Sequence, residues 1–488
     1  VRVLLVRASP PGLGREGIVP PGLAPPLALL HLSSSLRHAR PGTQVRIVDA
    51  AIELADAGGI AAHVLDFEPD LVGLSALSLE AFHVRDLAAA VRRARPEVPV
   101  VVGGPIASAH PRGVLEHVPE LDASAFGEGE RTVIEIADRV RAGGDLSGVP
   151  GVVARSPDGT LSEGPPRPVV PDLSTLPPPE WDEVDLAPYN RVLNWAHVPL
   201  DPGGCAYIDT TRGCPFECTF CHKFFGRKVR AIPPIAVVDE MERIQREYGV
   251  RDFHIVDDIF NYRPGRVMTF CKEILRRGLD VRFAFPNGLR GDRLEPDDVR
   301  ALADAGVYYI ALSVETLSPR LQRMIRKRLD VERVLRTATR IASLGVLTRG
   351  FVMMGFPTET REEMELTARD MIDSDFHLAH FFTVTPYPGT ALFETACAHG
   401  FDPSIWVEDA FTYDRDFINT SAVADDVFIE LVRRTRRDFY EHPPRIRSLR
   451  RWLDRNGLAD HPYMHSSPPW TIVLERTRAD GGMGGGGP

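Results

Sequence analysis

The chain has 488 residues, 43% of them hydrophobic and 25% charged, with a formal net charge of −10. That length supports two or three domains with sizeable cores, and the acidic balance excludes a nucleic-acid binder held by phosphate neutralisation. Residues 1–7 are too short for a secretory signal core, and no apolar run approaches the roughly 20 residues that span a bilayer, so a cytoplasmic protein with no membrane partner is expected.

In chain order, VRVLLV (1–6) reads as a buried strand and PPLALLHLSSSLRHA (25–39) as an amphipathic helix. Strands follow at VRIVDA (45–50), LVGLSAL (71–77), VPVVVGGP (98–105) and, shorter, DASAFGEGE (122–130), before a helix at TVIEIADRVRAG (132–143). Strand and helix in turn predict a Rossmann-like parallel sheet over 1–145, with ligands at the carboxyl ends of its strands. The loops there are rich in glycine and proline: 9–26, Gly103-Gly104-Pro105 and Gly127-Glu128-Gly129-Glu130. Residues 146–204 read as a proline-dense linker holding a short hairpin, GVVARSPDGTLSEG, turned at Asp158-Gly159.

From Cys205 the alternation returns. Six strand–helix units run from AYIDTTRG (206–213) to HFFTVTPYPG (380–389), which predicts a partial (β/α)6 TIM barrel over 205–392 with its chemistry at the strand C-termini. A small, mostly helical region over 393–465 is expected on the substrate side, and 466–488 as a tail ending in GGMGGGGP.

Six cysteines make no disulfide framework, and three of them crowd into RGCPFECTFCHK. Cys214, Cys218 and Cys221 form C-x-x-x-C-x-x-C after the first barrel strand. Three thiolates can hold three irons of a [4Fe–4S] cubane and leave the fourth iron open to chelate the amino and carboxylate groups of S-adenosylmethionine (SAM). From spacing alone, a zinc site of the three cysteines with His222 is the alternative. Cys271 and Cys397 sit on apolar helix faces and read as core; Cys205 stays ambiguous.

This stretch resembles the radical SAM superfamily. The resemblance implies that Phe220 lies near the adenine and that Asp257 and Asp258, ending the second barrel strand, receive the SAM amino group; a helix cap or turn acid is the plainer reading of that pair. Asn287 and Arg290 follow the third strand, where an arginine can grip the SAM carboxylate. Ser313 and Glu315 end the fourth, and a carboxylate in that apolar run is costly unless paired. Gly355 ends the fifth, where glycine admits close backbone approach to the adenosine.

Over about 2–450 the chain is similar to the cobalamin-dependent radical SAM enzymes, the class B radical SAM methyltransferase-like family. The matching segments include PPLALLHLSSSLR, PDLVGLSAL, VVVGGP, FGEGE, IVDDIF, ALSVET, GFVMMGFPTET and TPYPGT in order. The resemblance implies cobalamin at the ends of the N-terminal strands, with Ser75, Leu77, Ser78, Gly103, Gly104, Pro105, Gly127, Glu128, Gly129 and Glu130 as the contacts. The Asp-x-His-x-x-Gly motif that supplies cobalt with a lower histidine is missing from 1–150, so Leu77 is expected beneath the metal. It further implies an enzyme that methylates an unactivated carbon or phosphorus centre, one SAM methylating cob(I)alamin and another giving a 5′-deoxyadenosyl radical. Radical rearrangement or oxidative cyclisation is the alternative, and a non-catalytic cobalamin or iron–sulfur sensor a third reading. The expected partners are a small-molecule or biosynthetic-intermediate substrate and an electron donor such as flavodoxin or ferredoxin. Methylthiotransferases are set aside, because no cysteine precedes Cys205. Trp406, Tyr413 and Tyr440 are candidates to line the substrate space, each more often core.

Overall fold

The computed structural model describes residues 1–8, 24–53, 55–77, 80–186, 188–189, 204–403, 418–465 and 469–481. Ser78, Trp406, Tyr413, most of the 9–26 loop and the terminal glycines lie outside the described residues.

The N-terminal sheet contains β1 (Arg2–Arg7), β2 (Gln44–Asp49), β3 (Leu71–Ser75), β4 (Val100–Gly103) and β5 (Ala123–Ala125), all parallel. Their spatial order, β2-β1-β3-β4-β5, is that of a flavodoxin-like doubly wound sheet. The central strands β1, β3 and β4 are apolar runs buried on both faces, so helices must cover both. One face packs a core around Ile60, Val84, Leu87 and Val91; the other packs Leu29, Leu36, Val133 and Ile136. The helices supplying the first of these cores, Ala57–Phe67 and Ala81–Ala94, lie in stretches not singled out from sequence. The hairpin expected inside the linker, β6 (Val152–Arg155) and β7 (Leu161–Glu163), instead pairs antiparallel onto β5 and completes a seven-stranded sheet.

Six further strands form the second sheet: β8 (Cys205–Ile208), β11 (Asp252–Ile255), β12 (Arg282–Leu289), β13 (Val307–Glu315), β14 (Leu347–Met354) and β15 (Leu378–Thr383). They are parallel neighbours in that order, as the six strand–helix units predict. The first expected strand is cut short. The chain leaves β8 and re-pairs as β9 (Thr211–Arg212) with β10 (Arg230–Ala231), an antiparallel clasp enclosing the cysteine loop.

Alternate residues of the barrel strands enter two different cores. Phe283, Phe285, Ile310, Leu312, Val352, Met354 and Phe381 point outward, where helix Asp425–Tyr440 adds Phe428, Leu431 and Phe439. Ala284, Tyr309, Ala311, Leu347 and Leu378 point inward, where the last helices, Pro443–Arg455 and Trp470–Gly481, close one end of the barrel. Trp452 and Trp470 stack there at 5.6 Å and 21°. Tyr440 is tied to an edge of this sheet, its hydroxyl donating to the Ala379 carbonyl at 2.6 Å, so it does not line a substrate space. Cys271 is fully buried in the outer core, whereas Cys397 is only half-buried.

Candidate functional site

The cysteine loop is held by its backbone. Gly213 has φ +89, and a Cβ there would stand 2.6 Å from the Lys228 carbonyl oxygen and 3.1 Å from that of Phe225, so only glycine lets the loop fold back on itself. Cys214 N donates to Gly226 O at 3.1 Å, Thr219 N to Ile325 O at 3.0 Å, and Leu392 N to Thr219 O at 2.9 Å. Cys218 is buried and Cys221 exposed. The Cys218 thiol is pulled below the ordinary thiol range, first by its hydrogen bond with Cys221 and then by the Lys327 ammonium. Burial raises Cys214. His222 does not join the thiols: its Nε2 lies 2.9 Å from Pro388 O and its ring stacks on Phe224 at 4.7 Å.

The charged residues expected to meet SAM are largely engaged by the protein. Asp257 accepts from the Thr210 backbone, from Thr210 Oγ1 at 2.6 Å and from Thr211 N at 2.9 Å, and burial pushes its pKa up to about 6. It is the turn acid that shapes the approach to the cysteine loop. Asp258 takes Gly213 N at 2.7 Å with one oxygen. Arg290 is buried, chelates Asp292 at 3.0 and 2.8 Å, donates to Lys327 O and lies 4.0 Å over the Phe216 ring. It clamps the cysteine loop to the 327–328 turn and has no free fork for a carboxylate. Glu315, at φ +64, is met by Lys327 Nζ at 2.7 Å, so the pairing that its burial demands comes from within the chain. The side of Gly355 that a Cβ would occupy is filled by Phe428, 3.0 Å away, so its glycine admits the C-terminal helix rather than the adenosine. Asn287 stays exposed, its Nδ2 holding Val256 O at 3.0 Å, and Ser313 is half-buried. Phe220 is half-buried on a small core of Leu321, Ile325, Phe356, Val384 and Leu392.

Sequence reasoning missed Lys327. Its ammonium is buried, 5.7 Å from the Phe220 ring, and keeps its charge because Glu315 and Cys218 outweigh the penalty of burial. The flanking Arg326 and Arg328 both have positive φ, at 54 and 49, a strained turn that fixes Lys327 against Glu315 and within reach of Cys218.

At the N-terminal sheet, the strand ends open into a cavity of about 370 Å³. Its walls include Ser75, Gly103, Gly104, Pro105, Gly127, Glu128, Gly129 and Glu130, all expected from sequence, together with Gly73 and His31, which were not. The glycines differ in purpose. Gly127 (φ +79) and Gly103 have open space or a single distant neighbour where a Cβ would go; Gly104 would strike Ala76 O at 2.9 Å and Gly129 Leu32 Cδ2 at 2.8 Å. Leu77 lies just beyond β3, 42% exposed, its backbone N–H held by Glu80 at 2.5 Å.

Glu128 and Glu130 line this cavity but pair with the cysteine-loop clasp. Glu130 meets Arg212 at 2.7 Å, Glu128 meets Arg230 at 2.7 Å, and Glu128 also accepts Val170 N at 2.6 Å. Arg212 continues to Asp209 at 3.0 Å and Asp209 to His31 at 2.8 Å. A chain of buried charge thus joins the two sheets. Both acids latch the clasp to the N-terminal sheet, and Glu130 still keeps its Oε2 without a partner. Phe224 and Phe225, from the cysteine loop itself, complete the cavity wall.

At the amino end of the barrel strands, Cys205, Asp252 and His254 bring three ligand atoms within 4.8 Å. Arg282 already holds Asp252 at 2.6 Å, and the Tyr308 hydroxyl donates to it at 3.0 Å, so a cation would sit against a guanidinium. Burial drives the pKa of His254 down to about 3 and that of Cys205 well up.

Residues 208–371 match the radical SAM superfamily model and 17–137 the B12 binding domain model. An uncharacterized methyltransferase of Pyrococcus horikoshii is 29% identical over 377 residues, covering 77% of this chain and 79% of the relative. The anaerobic magnesium-protoporphyrin IX monomethyl ester cyclase of Rubrivivax gelatinosus is 26% identical over 406 residues, covering 81% and 70%. The fold is that of the radical SAM methyltransferase TsrM from Kitasatospora setae, solved with cobalamin and a [4Fe-4S] cluster: TM-score 0.69 at 19% identity, over 99% of this chain and 100% of that one. With both domain models in order on one chain, this protein is an enzyme that carries a B12-binding domain followed by a radical SAM domain.

Proposed function

We propose that this enzyme methylates an unactivated carbon or phosphorus centre. The observation that carries the reading is the shared wall: Phe224 and Phe225 leave the same loop as Cys214, Cys218 and Cys221 and line the cavity that Gly103 and Gly127 open. The residues fit the cofactors. His222 Nε2 is engaged by Pro388 O at 2.9 Å, so the three thiols stand without the fourth protein ligand that a structural zinc takes and suit a cluster with one open iron. In the cavity, Glu130 Oε2 and His31 Nδ1 are buried without a partner, which suits a ligand carrying both donors and acceptors.

Loaded there, a cluster with one open iron supplies the electron that cleaves SAM, and cobalamin supplies the methyl carrier. The chain's own part is to hold and exclude. Cys214, Cys218 and Cys221 bind as thiolates, Lys327 lowering the charge cost at Cys218. Asn287, Ser313 and Phe220 are left facing the SAM side. Leu77, exposed just beyond β3, would pack against bound cobalamin and offers it no nitrogen donor. A cytoplasmic location and a flavodoxin or ferredoxin donor accompany this reading; no helix among the described residues is long and apolar enough to cross a membrane.

The test is product stoichiometry under anaerobic reduction with SAM. Equal S-adenosylhomocysteine and 5′-deoxyadenosine per methylated product support methyl transfer. Deoxyadenosine without homocysteine supports radical cyclisation or rearrangement, the second reading, which the cyclase relative favours. Electron paramagnetic resonance of the cob(II) form tests Leu77: a nitrogen superhyperfine triplet contradicts it.

A further inference from the structure

Inside the barrel, the carboxyl halves of β14 and β15 carry aromatic groups that the inner core covers only in part: Phe351 rests on its edge, and His380 and Phe382 stand open. Along β15, Ala379 and Phe381 enter the outer core, and Phe381 packs on Phe439 at 5.4 Å. His380 and Phe382 alternate with them and therefore face the lumen. Both are exposed, and Phe382 keeps 39% of its surface. Among the described residues it is the one aromatic in the set of large apolar side chains left so open. On β14, Phe351 and Met353 alternate with buried Val352 and Met354, and they pair in register with His380 and Phe382. Across the next ladder, Phe351 pairs with Ser313, a residue of the SAM side.

The geometry is that of a wedge. The His380 imidazole stacks on Phe382 at 3.8 Å and 11°, and Phe351 stands 5.9 Å from Phe382, tilted by 56°. The ring is open to the lumen but enclosed by the barrel, and that desolvation, then Arg349 and Arg436, bring its pKa down to about 4, so it is uncharged at neutral pH. Toward the amino ends of the strands, the lumen is sealed by Leu347, Leu378 and the stacked tryptophans, so a ligand over the wedge approaches from the side of the cofactors. An exposed aromatic wall beside a reaction centre is unfavourable in water unless a ligand covers it. A neutral imidazole, two phenyl rings and a thioether contribute ring faces and edges but no fixed charge.

We infer that Phe351, His380 and Phe382 form the substrate floor and that it takes a flat, conjugated ring. The inference rests on the proposed methyltransferase reading and adds the substrate class. Stacking, not bulk, is the source of selection.

The test uses anaerobically reconstituted holoenzyme and two probes with one carbon skeleton and one charge, 2-naphthylacetate and its fully saturated decahydro counterpart, compared by equilibrium dialysis. Burial of apolar area alone favours the saturated probe; ring stacking reverses the order. Naphthylacetate should bind at least ~5-fold more tightly, Phe382→Ala should abolish that preference, and Phe382→Tyr should restore it. Equal binding of the two probes, tighter binding of the saturated one, or no binding of naphthylacetate overturns the inference. So does a Phe382→Ala protein that loses SAM affinity as much as probe affinity, since the ring would then belong to SAM. Iron and cobalamin content, read on the same samples, separates failure of the floor from failure of the underlying function.

Discussion

The two parallel sheets meet at their carboxyl ends, and those ends are built in opposite ways. At the N-terminal sheet the strand ends are lined by glycine and small side chains and leave a cavity of about 370 Å³. At the barrel the strand ends carry charge, and nearly every charge is answered within the chain: Asp257 by Thr210 and Thr211, Arg290 by Asp292, Glu315 by Lys327. One end receives by being open. The other receives by being rigid, its ion pairs fixing a loop whose thiols lie within reach of the Lys327 charge. A large cofactor needs room, whereas a cluster and a chelated ligand need fixed geometry.

The largest effect expected on the rigid side is complete. Replacing Cys214, Cys218 and Cys221 together with Ala should remove the ~4 irons of the cluster and all reductive cleavage of SAM, while cobalamin binding persists because the cavity is built from the other sheet. Iron analysis and deoxyadenosine production check it. SAM cleavage by the triple variant would break the comparison at its root.

Next is the buried pair. Both side chains of Glu315–Lys327 are nearly inaccessible, at 8% and 10%. Lys327→Met strands a carboxylate and should destabilise the fold by about 3–5 kcal/mol, whereas Glu315→Gln with Lys327→Met should recover most of it. Denaturant unfolding of the apoprotein measures both. A single variant as stable as the parent would show that the barrel end is not held by this pair.

The sheets themselves were legible in sequence, and the difference between their ends was legible only in part. Each barrel strand is an apolar run closed by a turn residue, so local pattern was enough. The glycine loops announced the cavity because a missing side chain has the same meaning wherever the chain goes. Charges have no such local meaning. Lys327 lies in MIRKRLD, which reads as a solvated basic run, and its partner is twelve positions earlier across a left-handed turn without glycine. Glu128 and Glu130 read as cobalamin contacts because Arg212 and Arg230 come from the distant β9–β10 clasp. The helix Ala57–Phe67 was overlooked for a local reason: Gly58 and Gly59 lower its propensity, and its Asp56 cap, bonded to Gly59 N at 3.0 Å, stands in a loop.

A third, smaller effect tests how the barrel end tolerates acid. Glu359 is fully buried, accepts Gly355 N at 2.6 Å and Phe356 N at 2.9 Å, and burial lifts its pKa to about 8. Because the folded value lies above the unfolded one, near 4.3, the neutral acid is favoured by the fold. Its stabilising contribution is therefore full below about pH 4.3 and is lost as pH rises through 8. Glu359→Gln keeps the acceptor and removes the charge. It should exceed the parent by about 1–3 kcal/mol at pH 8.5, and the two should converge near pH 4.5. Parallel stability curves across that window would show that the carboxylate stays ionised in the fold.

The smallest effect bears most directly on the open end. Gly127 and Gly129 stand two residues apart on the same cavity wall, yet a Cβ at Gly127 meets nothing within 4 Å, while one at Gly129 stands 2.8 Å from Leu32. Gly129→Ala should act on packing, shifting Leu32 and lowering stability with or without cobalamin. Gly127→Ala adds only the penalty of φ +79, about 1 kcal/mol in the apoprotein. If the open side of Gly127 is where cobalamin meets backbone, the same methyl group should weaken cobalamin binding by ~10-fold or more, a loss out of proportion to the change in stability. Thermal unfolding of the apoprotein and cobalamin titration of the holoprotein separate the two. A Gly127→Ala protein that binds cobalamin as tightly as the parent would place the cofactor's contact elsewhere on the wall, with Gly103, the other glycine with room, the next residue to substitute.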